Sequence, residues 1–87
     1  MNEESLLEFP CSFPIKIMGR ESPQFLALAR ALVEAHTGPL GDDAVQSSLS
    51  RNGTFVSVTV TVVAESQQQL DDIYRSVTAS DDVLMAL

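Results

Sequence analysis

The stretch Asn52-Gly53-Thr54-Phe55-Val56-Ser57-Val58-Thr59-Val60-Thr61-Val62 decides the fold. Val56, Val58, Val60 and Val62 alternate with Phe55, Ser57, Thr59 and Thr61, the period-two pattern of a strand with one buried face. Ahead of it, Asn52-Gly53 is a hairpin signal, because both residues tolerate the positive φ of a type I′ turn. The hairpin needs a strand before its turn, and the weaker alternating stretch from Ala44 to Arg51 supplies one.

Downstream, Ser66-Gln67-Gln68-Gln69 matches a capping box, with Gln69 placed to reach back to the N-cap amide. Leu70, Ile73, Tyr74 and Val77 then form a helical stripe. The segment from Asp82 to Leu87 is apolar enough for a closing strand, with Val83, Met85 and Leu87 on one face. Upstream, Phe25, Leu28, Ala29, Leu32, Val33 and His36 fall on another helical stripe. Ser22-Pro23 signals its start, a side-chain acceptor followed by a ring of preset φ, and Gly38-Pro39 its stop. A polar loop follows from Leu40 to Asp43. Before Gly19-Arg20-Glu21, read as a loop, Phe13, Ile15 and Ile17 alternate with Pro14, Lys16 and Met18 as a first strand.

Residues 1–12 have no sustained period and contain Pro10, so they read as an irregular arm whose Leu6, Leu7 and Phe9 can dock on the core. Residues 13–87 then read strand, helix, strand, strand, helix, strand. That order is the split βαβ, or ferredoxin-like, arrangement. It predicts an α+β sandwich, a four-stranded antiparallel sheet with two helices on one face. The other face stays open and carries Lys16 and Met18 from the first strand, and Phe55, Ser57, Thr59 and Thr61 from the third.

Composition narrows the function. The 87 residues include 12 acidic and 5 basic ones, a formal net charge of −7. This length suits one domain. The acidity argues against nucleic acid, whose affinity comes largely from Lys and Arg releasing counterions, and against a membrane surface. Asn2-Glu3-Glu4 is acidic where a secretory signal carries positive charge, and no apolar run approaches the length of a membrane span. The expected location is the cytoplasm. Cys11, the single cysteine, excludes an intramolecular disulfide or a CxxC pair, and no basic neighbour in sequence activates it. His36, the single histidine, has no catalytic partner placed by sequence. The doublets Asp42-Asp43, Asp71-Asp72 and Asp81-Asp82 lack the spacing of a calcium loop. We therefore expect no catalytic residue, no metal and no cofactor.

A family resemblance adds to this. Leu7-Glu8-Phe9-Pro10, Phe13-Pro14, Lys16-Ile17-Met18-Gly19, Gly53, Ser57-Val58-Thr59-Val60, Gln69-Leu70, Ile73-Tyr74 and the ending Val83, Met85, Leu87 resemble the small YbeD-like proteins of bacteria, uncharacterised protein family 0250. The resemblance covers nearly the whole chain, departing where a basic residue usually precedes the hairpin glycine, here Asn52. It implies a stand-alone relative of the ACT regulatory domains, which bind amino acids or similar effectors at subunit interfaces. The family it resembles has no assigned enzymatic activity, and its genes tend to lie beside those for lipoate attachment, which implies a link to lipoate or one-carbon metabolism.

From that resemblance, Met18, Gly19, Arg20, Glu21 and Ser22 form the expected effector site. Gly19 would permit close backbone approach and Arg20 a charge-assisted hydrogen bond to a carboxylate. Val45, Ser47 and Leu49 on the second strand, an edge in this topology, together with Phe55, form the expected interface. The expected function is a regulatory or adaptor module that binds a small effector, a partner enzyme, or both. A homodimer or docking on a larger enzyme would cover its exposed surface. A purely structural protein–protein module is the alternative. An RNA-binding protein ranks last, because Arg51 to Val58 imitates the third-strand signature of RNA-recognition domains only as far as Phe55.

Overall fold

The computed structural model describes residues 7–87. Its elements are β1 (Cys11–Arg20), α1 (Phe25–Thr37), a short 3-10 turn (Asp42–Ala44), β2 (Val45–Leu49), β3 (Phe55–Ala64), α2 (Gln67–Thr78) and β4 (Val83–Ala86). The strands form one sheet in the order β2-β3-β1-β4, and every neighbouring pair is antiparallel. This is the expected ferredoxin-like α+β sandwich.

The valines of β3 build the core as their alternation requires. Val58 and Val60 stand opposite Ile17 and Ile15 of β1, and all four are fully buried. Phe25, Ala29 and Val33 of α1 and Leu70, Ile73 and Val77 of α2 close over that face in the same cluster. Leu7, Phe9 and Cys11 pack against its margin; Leu6 lies outside the described residues. β1 begins at Cys11, inside the expected arm, because Cys11 and Ser12 pair with Ala64 and Val63. Pro14 is tolerated there because β4 pairs only with the C-terminal half of β1.

Local signals hold at several element ends. The Ser66 hydroxyl accepts from the Gln69 amide at 3.1 Å. The Gln69 side chain reaches one residue further back than a capping box requires, its oxygen accepting from the Glu65 amide at 2.7 Å. Its nitrogen donates to the His36 carbonyl at 3.0 Å, joining the start of α2 to the end of α1. Gly38 ends α1 at φ +81°.

Further details differ from expectation. Gly19 and Arg20, read as a loop, instead end β1, because they continue its pairing opposite Val56 and Phe55. Ser22 does not cap α1 with its side chain; the helix begins at Phe25, whose amide donates to the Ser22 carbonyl at 3.3 Å. The β2–β3 hairpin is not a type I′ turn, since Gly53 alone takes positive φ and Asn52 does not. It closes instead by Gly53 N–H to the Ser50 carbonyl at 3.0 Å, a longer loop with a left-handed glycine after the turn. β4 does not place Val83, Met85 and Leu87 together. Met85 pairs with Met18 but Val83 with Gly19, so Leu84 is a bulge and Val83 and Ala86 pack inward.

Arg30 of α1 and the loop after the helix share one polar network. Its guanidinium meets Glu34 at 3.1 Å and Asp42 at 2.9 Å, and donates to the Leu40 carbonyl. The Leu40 amide and then Arg30 hold the Glu34 carboxyl below its usual range. A carboxylate depressed in the folded state stabilises above its unfolded pKa, and that contribution fades as pH falls through the folded value. Thermal unfolding of Glu34→Gln against the parent should show a stability gap at neutral pH that closes below the ordinary carboxylate range. A gap constant with pH would refute this role.

Candidate functional site

Directly opposed residues in antiparallel strands share a face, so the register defines the uncovered side of the sheet. Lys16 opposes Thr59, Met18 opposes Ser57 and Arg20 opposes Phe55. β2 extends two of these rows with Gln46 and Ser48. On the other side Met85 stands beside Met18. Leu87 exchanges both backbone hydrogen bonds with Lys16, at 3.0 and 2.8 Å, and so faces out with it. Tyr74 secures this strand end by donating from its hydroxyl to the Leu87 carbonyl at 2.8 Å.

The surface is mixed and, within its strands, free of acids. Met85 is 50% exposed, Leu87 62% and Phe55 40%, while Met18 is half-buried. A shallow depression lies where β1, β3 and the end of β2 meet, lined by Met18, Ser48, Leu49, Ser50, Phe55, Val56 and Ser57. At its rim the Arg20 guanidinium carbon lies 5.7 Å from the Phe55 ring centroid, a cation–π contact that orients both groups.

The five expected effector residues do not converge on one cradle. Met18 and Arg20 face the open side of β1, whereas Gly19 is buried on the helix side. Gly19 does permit a close approach, but by the protein itself. A Cβ there would lie 2.7 Å from Phe25 Cζ and 2.6 Å from the Asp82 carbonyl oxygen. The turn behind it is occupied too: the Glu21 amide donates to the Thr54 carbonyl at 2.9 Å. Glu21 and Ser22 are simply exposed.

The expected interface residues divide between two faces. Val45, Ser47 and Leu49 oppose Val60, Val58 and Val56, which puts them on the helix side of an edge strand. Val45 packs on the core, while Ser47 and Leu49 are exposed. Phe55 belongs to the open face, although Leu49 joins it at the depression. Met85 and Leu87 were missed as members of the open face, because a six-residue apolar segment carries no signal for a bulge.

Several polar groups singled out by the sequence have structural partners. His36 Nε2 and Ser76 Oγ lie 2.7 Å apart, tying α1 to α2. Asp71 and Asp72 accept from Gln67 and Gln68 one turn earlier, at 3.0 and 2.9 Å. Cys11 is half-buried at the start of β1. Among the described residues, no helix is long and apolar enough to cross a membrane.

The fold and this surface define a small ferredoxin-like sandwich whose second sheet face bears no layer of the described chain. Residues 4–87 match the family described as protein of unknown function (DUF493), and the chain belongs to it. A UPF0250 protein of Paraburkholderia phytofirmans is 43% identical over 84 residues, covering 97% of this chain and 94% of the relative. A UPF0250 protein of Nitrosomonas europaea is 39% identical over 87 residues and covers all of both chains. The solution structure of protein HP0495 from H. pylori superposes with a TM-score of 0.71 at 17% identity. That match covers 93% of this chain and 85% of the other, and shows the shared fold.

Proposed function

We infer that the protein works by binding and not by chemistry, as a small cytoplasmic regulatory or adaptor module of ACT-like type. The observation that carries this reading is the uncovered sheet face, with its apolar side chains, its depression and Arg20 at the rim. A sheet normally buries its apolar face against another layer, and a contiguous exposed apolar surface rimmed by polar groups marks an interaction site. A partner enzyme suits the breadth of the face; a small effector such as an amino acid would suit the depression beside Arg20. The resemblance to YbeD-like proteins directs the search toward lipoate and one-carbon metabolism.

The β2 edge supports self-pairing as a second reading. Val45-Gln46-Ser47-Ser48-Leu49 carries no charge, no proline and no bulge, the devices that usually protect an edge. A dimer formed there leaves the open face available.

Capture experiments with the whole protein and with Phe55→Ser test the main reading. The parent should retain one enzyme in near-stoichiometric amount, and Phe55→Ser should retain about tenfold less, as loss of an aromatic anchor implies. Equal recovery by both proteins would remove the open face from consideration.

A further inference from the structure

We propose that the open sheet face is a docking surface for an acidic, apolar segment of a partner protein, an inference that rests on the binding reading above. Charge placement carries it. None of the four strands contains Asp or Glu, although the chain has 12 of them. Lys16 and Arg20 are both exposed on the open side of β1. Of the 5 basic residues, Arg30 pairs with Glu34 and Asp42, and Arg75 with Asp72, all three bridges involving helix residues. Lys16, Arg20 and Arg51 make no ion pair among the described residues. The first two lie on the open face and the third in the hairpin at its end. A protein of net charge −7 thus gathers in one region the basic side chains that make no ion pair among the described residues.

Spacing gives the region a pattern. At about 3.3 Å per residue, Lys16 and Arg20 stand about 13 Å apart along β1. Met18 lies between them with Met85 beside it, and Phe55 lies next to Arg20. Thioethers adapt to varied apolar shapes. A segment with an apolar side chain flanked by two carboxylates would match cation, apolar contact and cation in turn.

The same charges disfavour other occupants. A second copy stacked face to face would bring two Lys16 and two Arg20 together with no strand carboxylate to balance them, and like charges across an interface are costly. Nucleic acid would release few counterions to three cations on a chain of net charge −7. Among the described strand residues, Phe55 is the one aromatic ring on this face.

A photo-crosslinking residue at Thr59, beside Lys16 and Gln46 in the sheet, tests the proposal in the full chain. A second placed at Ala31, exposed on α1, is the control. In native extract, Thr59 should crosslink to a protein segment with more acidic than basic residues and at least one large apolar side chain. Lys16→Glu with Arg20→Glu should lower that yield by at least about tenfold, as reversal of two interfacial charges implies. Circular dichroism should show the double variant folded, since Lys16 and Arg20 are exposed. Crosslinks to neutral or basic segments would overturn the acidic class and leave the face as a binding surface. Crosslinks to a second copy or to nucleic acid would overturn it in favour of those occupants. Equal yields from Thr59 and Ala31, insensitive to charge reversal, would overturn both this proposal and the binding reading.

Discussion

Gly19→Val should strongly destabilise the protein. The position has no room for a side chain. A Cβ would meet the Phe25 ring and stand 2.6 Å from the Asp82 carbonyl oxygen. Phe25 is buried, with only 2% exposure, so its ring cannot swing into solvent without opening the core. Asp82 immediately precedes β4, so relieving its carbonyl means moving the closing strand. Overpacking costs about 1–3 kcal/mol and sometimes more, and the branched valine adds two methyl groups beyond the Cβ. A loss above about 3 kcal/mol is a large share of the roughly 5–15 kcal/mol that holds a domain together. Urea denaturation followed by circular dichroism should show a much lower midpoint, with Gly19→Ala intermediate. Adding Phe25→Leu to Gly19→Ala should recover only the part due to the ring. A Gly19→Val protein as stable as the parent would mean that the β1–α1 junction yields freely.

The second large effect belongs to Ile17. It is fully buried and lies between Val58 of β3 and Ala86 of β4, where the sheet has neighbours on both sides. Ile17→Ala removes apolar volume that rigid strands cannot close around, a change that costs about 2–5 kcal/mol. For a domain of this size each kcal/mol lowers Tm by about 4–8 °C, so a drop of at least about 8 °C is expected in thermal unfolding. Val63→Ala is the matched control: Val63 lies on β3 with 62% exposure. It should move Tm far less, since exposed substitutions away from special features stay within about 0.5 kcal/mol. Similar drops for the two variants would contradict the assignment of faces.

Much of this architecture was legible before any tertiary contact was known, for identifiable reasons. The β3 valines alternate without interruption, and a period of two allows only one partition into faces. The α1 and α2 stripes recur at helical spacing, and their buried members are Phe25, Ala29, Val33, Leu70, Ile73 and Val77. Ser66 and Gly38 act within one turn of the chain, so their capping roles depend little on distant partners. Lys16, Met18, Phe55 and Ser57 could be placed on one open face because each strand's parity was unambiguous.

The effector site fared differently, and Gly19 shows why. A glycine ahead of a helix start reads equally well as room for a ligand or room for the protein's own side chain. Phe25 is six residues away in sequence, and Asp82 is in a different element. Their convergence decides between the two readings. The expected interface residues were divided for a related reason. Parity within β2 was readable, but which parity faced the helices depended on its register with β3.

Local chemistry thus settled element types, their order, the ferredoxin-like class and the membership of the β1 and β3 faces, because those follow from side-chain period and backbone preference. Only the assembled sheet decided that Leu84 bulges, that Met85 and Leu87 turn outward, and that Gly19 is filled from within. It also decided that Lys16 and Arg20 share a face with no acidic strand residue while Arg30 and Arg75 are neutralised on helices. These are properties of register and of contacts between residues distant in sequence, where no single segment holds the information.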